Sequence, residues 1–445
     1  MTARITRRPF CIIRSTPMSK ILPVKGARDF YPEEMAMRGW LYDRIRSVSE
    51  SFGYQEYEGP YLERLELYAA KSGEELVKEQ SFVFEDRGGD MIALRPELTP
   101  SLARMVATRS GSLQRPIRWW SFGPFWRYER PQKGRSREFF QWNIDILGVD
   151  TPEADAELAS VAAFFFRSLG LPPTAVRILV NSRSLAEIQL ESIGIPPEMR
   201  QPTFRAIDRL DKMDQSKWEA YASDIGLSGD QILALQDVLT DTEAWKQSKQ
   251  LVAFFKAVDQ LGVSDYIEYE PSIIRGLDYY TGIVFEARDA DRRHRAILGG
   301  GRYDDLVSVV GGDPVPGVGF AMGDVVISLV LEDAGASPEL RPNPAQILLV
   351  AFDQPSLLQT LRISSELREA GYRAEWYPQT DRIKTQLKYA DRQGIPVVLI
   401  LGPDEISNNQ VTIKEMRSGD QVSVDRNELT AYLAEVVPHG DQHEA

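Results

Sequence analysis

Residues 123–145 read GPFWRYERPQKGRSREFFQWNID, and their pattern decides the architecture of the larger part of the chain. Residues 117–127 enter this stretch as a strand-like run and residues 139–146 leave it as another. Pro131 and Gly134 make the middle a loop, so the two runs read as neighbouring strands joined by a long turn. Between Arg127 and Glu138 stand five cations (Arg127, Arg130, Lys133, Arg135, Arg137) against two acids. A basic loop flanked by Trp126, Phe139 and Phe140 suits a polyphosphate or the end of a nucleic-acid strand. A solvated basic hairpin is the alternative.

Working outward, further strand-like runs at residues 81–85 and 91–94 are set off by glycine or proline turns, which suggests an antiparallel meander rather than βαβ units. Residues 33–52 have helical spacing, with Met37, Trp40, Leu41, Ile45 and Val48 on one side and Gly53 as the stop. The class is therefore α+β. No GxxxxGK[ST] and no strand–GxGxxG–helix occurs, so a nucleotide site would have to be built another way.

Three more stretches carry chemistry. LRPELT at 94–99 follows a strand; Glu97 can accept from an ammonium group with Thr99 in support, and a salt-bridged turn is its rival reading. RGLDYYT at 275–281 sets Arg275 before paired tyrosines, a mix suited to a cation that meets a phosphate between aromatic walls. An arginine paired with Asp278 or Glu270 is the alternative. GGGRYD at 299–304 offers backbone that a ligand can approach closely.

Composition narrows the function classes. The 445 residues allow two or three domains, and 43% apolar with 26% charged residues is ordinary for a soluble chain. A single cysteine, Cys11, argues against a disulfide framework or a Cys-rich metal site, and three histidines leave little for a His-based zinc centre. Net charge of −13 excludes a nonspecific nucleic-acid binder, so RNA would have to be met by local basic surfaces. No apolar run reaches membrane-span length, and a cytoplasmic location is expected.

The expected organisation is a tail at 1–18, a large domain at 19–334, a linker at 335–344, a small α/β domain at 345–438 and a polar tail at 439–445. The first tail has arginines and no acid, as transit peptides do, but because MSKILPVKGARDF would begin such a chain naturally, a disordered tail or an upstream start with Met18 as the true one is the expectation. A helical insertion is expected at about 184–263. In the small domain, runs at 347–352, 355–370, 372–377, 383–393 and 397–401 give βαβαβ order, then a hairpin around Ser418-Gly419 and a last helix near Asn427. Arg382, Lys384, Lys388 and Arg392 lie on or near one helix, where they suit an RNA stem or form a solvated face.

The combination of RPE, RPQKGR, RGLDYY and GGGRYD resembles histidyl-tRNA synthetase, a class II aminoacyl-tRNA synthetase family. The resemblance begins at KGARDFYP (25–32) and, more loosely, takes in the small domain, which looks like an anticodon-binding module. It implies a homodimer built on an antiparallel sheet flanked by helices, with ATP, L-histidine and tRNA-His as partners and Mg²⁺ on the phosphates. Glu97, Thr99 and Gln141 would hold the amino group of histidine. Tyr279 and Tyr280 would line the imidazole pocket, with Asp145 facing the ring as a shorter acid than the family's glutamate. Arg127 and Glu129 would bind the α-phosphate and adenine, with Arg135 also toward ATP and Phe139 stacked on the base. Arg275 would be the activating cation, and Gln132 and Arg137 would approach the tRNA acceptor end. No metal ligand is assigned.

One departure stands out. At 317–331 the chain reads GVGFAMGDVVISLVL where the family commonly has GFAMGLER, so Val326 replaces an arginine expected on the ATP γ-phosphate. Either Arg302, Arg135 or Lys133 then compensates, or ATP binding is weak. A catalytically silent paralogue with a regulatory role is the second reading.

Overall fold

The structure, a computed structural model, describes residues 21–69, 80–132, 134–210, 213–274 and 280–437. Strands in the first two hundred residues are β1 (Gln55–Glu56), β2 (Leu62–Arg64), β3 (Phe82–Glu85), β4 (Met91–Leu94), β5 (Ile117–Trp126), β6 (Glu138–Leu147) and β7 (Val176–Ser182). Then come β8 (Ile267–Tyr269), β9 (Ile283–Asp289), β10 (Leu298–Tyr303) and β11 (Gly317–Gly323). The small domain contributes β12 (Ile347–Ala351), β13 (Ala374–Trp376), β14 (Val397–Leu401), β15 (Gln410–Glu415) and β16 (Gln421–Asp425).

Eight strands form the large sheet in the order β1-β5-β6-β11-β10-β9-β7-β8. All pairs from β5 to β7 are antiparallel, as the glycine- and proline-bounded runs predict. The two outermost pairs, β1 with β5 and β7 with β8, are parallel. Parallel neighbours need long crossovers; β1 and β5 are separated by a three-stranded sheet (β2-β4-β3) and the helix Thr99–Arg109, β7 and β8 by the inserted helices.

Strand alternation gives the sheet two unlike faces. Trp120, Trp142, Ile144, Ile146, Phe285, Leu298, Phe320 and Met322 point to the back, where the helices Pro32–Ser51, Pro152–Ser168 and Lys249–Gln260 cover them in the main core. The first of these starts with Pro32 and two acids, as helix N-termini favour, and stops at Gly53 with φ +78°. On the front, the helix Thr99–Arg109 covers only one end, packing Leu102 and Val106 against Ile117, Leu147 and Tyr303.

Within the stretch expected as an insertion, helices between Arg183 and Thr240 enclose their own core around Phe204, Trp218, Ile232 and Leu235. The helix Lys249–Gln260 instead gives Leu251, Phe254 and Val258 to the main core. The small domain has the order β13-β12-β14-β15-β16, parallel through β14 and antiparallel beyond, with separate apolar clusters on its two faces.

Candidate active site

The front of the large sheet is floored by small residues. Registers place Gly319 against Gly301 and Asp145, Ala321 against Gly299 and Asn143, and Gly323 against Gln141. Alternation puts Gly299, Gly301, Gly317, Gly319, Ala321 and Gly323 on this face. The result is a shallow groove across β6, β11 and β10 where a ligand can lie close to backbone. The glycines also serve the sheet itself. A Cβ on Gly300, which faces the back, would sit 2.2 Å from the Gly319 carbonyl oxygen, and one on Gly301 would sit 2.9 Å from the Tyr280 ring.

β6 carries Phe139, Gln141 and Asp145 on the groove side because they share one parity. Phe139 stacks on Phe125 at 5.9 Å between centroids, and the Arg127 guanidinium lies 5.2 Å over its ring. Arg127 Nε donates to the Pro96 carbonyl oxygen at 2.9 Å, which ties the basic hairpin to the turn bearing Glu97 and Thr99. Thr99 begins the front helix and Glu97 is half-buried beside it.

Arg95, in the same LRPE run, is wholly buried. Its Nε donates to the Pro124 carbonyl at 2.9 Å, its Nη1 bonds Glu58 and the Gly59 carbonyl, and its plane lies over Tyr61 and Phe125. It braces the turn against β5, a structural role that the sequence reading did not assign. A cluster of RP with later aromatics is its only sequence signal.

Beyond Arg127 the loop is self-braced. Glu129 lies 2.9 Å from Arg135, at ion-pair distance though outside hydrogen-bond geometry. Gln132 and Arg135 exchange backbone hydrogen bonds at 3.1 and 2.8 Å. Arg137 donates from Nε to the Glu129 carbonyl at 3.1 Å and covers the Tyr128 ring at 4.1 Å. Lys133 lies outside the described residues.

Asp145 is buried and accepts from the Tyr303 hydroxyl at 2.5 Å. Burial pushes its carboxyl up to about 7, against the lowering effect of that hydrogen bond. A Cβ on Gly319 would fall 1.9 Å from Asp145 Oδ1, so the glycine makes room for the acid. Tyr57 has a buried hydroxyl with no hydrogen-bond partner among the described residues. Burial, then the Asp145 charge, holds its pKa well above the ordinary value. Tyr303 and Tyr57 were not anticipated, because only the folded sheet brings them to Asp145. Tyr280 is buried with Leu179, Ile273 and Val284 on the other flank of the groove. Arg275, Asp278 and Tyr279 lie outside the described residues.

One expectation about the missing arginine is corrected. Arg302 cannot substitute for it: its side chain faces the back, where it binds Asp155 through Nε and Nη2 at 3.1 Å and donates to the Val149 and Thr151 carbonyls. Arg135 lies at ion-pair distance from Glu129, with its side chain partly exposed. Val326 itself is a core residue, buried with Ile327 and Val330 in the helix Asp324–Asp333. A cavity of about 100 Å³ lies elsewhere, lined by Thr174, Asp289, His294 and Asp333 among others, and shares none of the groove residues.

A histidyl-tRNA synthetase family model matches residues 26–324, and an anticodon binding domain model matches residues 346–436. The chain is 39% identical over 417 residues to the histidine–tRNA ligase of Haloarcula marismortui, which covers 90% of this chain and 95% of that one. It is 37% identical over 417 residues to the chloroplastic/mitochondrial histidine–tRNA ligase of Arabidopsis thaliana, at 92% and 85% coverage. The solved histidyl-tRNA synthetase of Nostoc sp. PCC 7120 superposes with a TM-score of 0.81 at 25% identity, covering 94% of this chain and all of the other. A Bacillus halodurans structure described as an ATP phosphoribosyltransferase regulatory subunit/histidyl-tRNA synthetase gives a TM-score of 0.70 at 20% identity, with 87% and 99% coverage. At that identity the likeness is one of fold. With the groove, the basic hairpin and the second domain in place, and relatives matched along nine tenths of its length, the chain belongs to the histidyl-tRNA synthetase family.

Proposed function

We infer that the protein is a histidine–tRNA ligase that activates histidine with ATP and passes it to the 3′ end of tRNA-His. One observation carries the placement of this chemistry in the groove. Arg127, bonded to Pro96 O, stands beside Glu97 at the edge of the small-residue floor, so a cation for phosphate and an acid for ammonium are neighbours. The regulatory reading is not favoured, since the relatives matched at 37–39% identity are ligases by name.

In this reading Glu97, Thr99 and Gln141 receive the histidine amino group. Asp145, steadied by Tyr303, accepts from the imidazole N–H, with Tyr279 and Tyr280 as walls. Phe139 stacks on adenine, Glu129 and Arg135 border it, and Arg127 and Arg275 offset charge on the α-phosphate. The histidine carboxylate attacks that phosphorus in line and pyrophosphate leaves; the terminal adenosine of the tRNA then attacks the acyl carbon of the adenylate. Positioning and charge stabilisation suffice for such chemistry, which suits a sequence short of histidine and cysteine. Gln132 and Arg137 lie at the loop that would meet the acceptor end.

Mg²⁺ takes few protein ligands when phosphates supply the rest. The carboxylates that would complete its coordination are not assigned. Such an ion would neutralise phosphate charge. A homodimer is proposed from the exposed apolar side chains of Tyr61, Leu62, Phe84 and Met91 on and beside the three-stranded sheet. A cytoplasmic location is proposed from composition; no helix among the described residues is long and apolar enough to cross a membrane.

The test is ATP–pyrophosphate exchange with each amino acid, followed by charging of tRNA-His. Exchange with histidine alone, then charging, is expected; tRNA binding without exchange would establish the silent paralogue. Arg275→Ala should abolish exchange while leaving the thermal transition in place, and near-wild-type exchange would remove that residue's role.

A further inference from the structure

The pairing of β6 with β11 ends at Gln141 and Gly323. The next amide along β6, Phe140 N, would have no ladder partner on that side. Asp324, the first residue of the following helix, supplies one: its Oδ1 accepts from Phe140 N at 3.0 Å. Its other oxygen accepts from Arg28 Nη2 at 2.8 Å. The Asp324 side chain is 9% exposed, so the arginine offsets a carboxylate that would be costly to leave unpaired.

Arg28 is itself held. Its guanidinium lies 4.8 Å over Phe30, whose ring meets Phe140 edge-on, and Arg38 covers both rings. Two residues earlier, the Gly26 carbonyl accepts from Arg137 N at 2.9 Å and Glu138 N at 3.1 Å. A Cβ at Gly26 would lie 2.8 Å from the Arg137 side chain, so the segment runs hard against the returning limb of the basic loop. Residues 137–140 are therefore pinned from one side by residues 26–28 and at Phe140 by Asp324.

We propose that Arg28 and Asp324 form a latch that positions Phe139, and with it the nucleotide end of the groove. Both are positioning residues: they act on the back and edge of the sheet, through the backbone of Phe140. The arginine that the family resemblance leads one to expect at position 326 would reach the nucleotide as a cation. Here that position is core, and the same helix reaches the nucleotide side through a fixed main chain instead. Gln141 is held by ladder partners on both flanks, Gly123 and Gly323, so it does not depend on the latch. The latch thus bears on ATP rather than on histidine.

This inference rests on the ligase reading, and the test separates the two. In histidine-dependent ATP–pyrophosphate exchange, Arg28→Ala and Asp324→Ala should each raise KM for ATP roughly tenfold, with KM for histidine changed by less than about twofold. The double variant should be no worse than either single one, and Arg28→Lys should recover most of the loss. Unchanged KM for ATP, additive effects, or equal rises in both KM values with a lowered thermal transition would each overturn the latch. Absence of exchange in the unaltered protein would instead overturn the ligase reading. Should Asp324→Ala fail to fold, Arg28→Ala and Arg28→Lys, at a half-exposed side chain, still decide the matter.

Discussion

Asp145 sits where ionisation is costly, and that has a measurable consequence. In an unfolded chain an aspartate titrates near 4; here burial raises it to about 7. Between these values the folded protein binds more protons than the unfolded chain. The group's contribution to stability is therefore full below about pH 4 and is lost as pH rises through about 7. Asp145→Asn mimics the protonated acid, so its stability relative to the unaltered protein should grow between pH 5 and pH 8, by up to about 3 kcal/mol. Parallel urea-unfolding curves across that range would show that the acid is already ionised. The same variant should lower kcat/KM for histidine roughly tenfold to a hundredfold, through loss of a charged acceptor. At this scale the sequence named Asp145 by resemblance, but Tyr303, 158 positions away, becomes its partner only once β6, β11 and β10 align.

The strands β10 and β11 show how one element serves two faces. GGGRYD reads as a ligand-approach motif, and Gly299 and Gly301 do face the groove. Gly300 and Arg302, on the other parity, belong to the back. Gly300→Ala would bring its Cβ to 2.2 Å from the Gly319 carbonyl and 2.5 Å from Phe320. It should cost about 1–3 kcal/mol by overpacking, seen as a lower midpoint in denaturant. Arg302→Ala, which strands the buried Asp155, should cost about 3–5 kcal/mol. If either variant were as stable as the parent while exchange was lost, the residue would belong to the groove chemistry instead. Sequence could not assign these roles, because a contiguous motif on a strand is divided between two environments.

At the scale of the whole molecule, the ligase reading sets activation in the large domain and has charging draw on the small one as well. Lys384, Lys388 and Arg392 are exposed along one face of the helix Ile383–Gln393, whose other side buries Gln386 and Ala390. Lys384→Glu with Lys388→Glu should raise KM for tRNA several-fold, more so at low salt, while leaving pyrophosphate exchange unchanged. Equal loss in both assays would deny this helix a part in holding RNA. The sequence by itself determined the α+β class, the antiparallel centre of the large sheet and the βαβαβ order of the small domain. Those follow from local periodicity, turn residues and contiguous motifs, which a chain carries wherever it folds. Only the tertiary structure decided that Arg302 is a buried brace, that Val326 is core, that the sheet edges run parallel, and that Arg28 meets Asp324 from 296 positions away. Each of these depends on strand register and face, and register is set by the packing of the entire sheet rather than by any one segment.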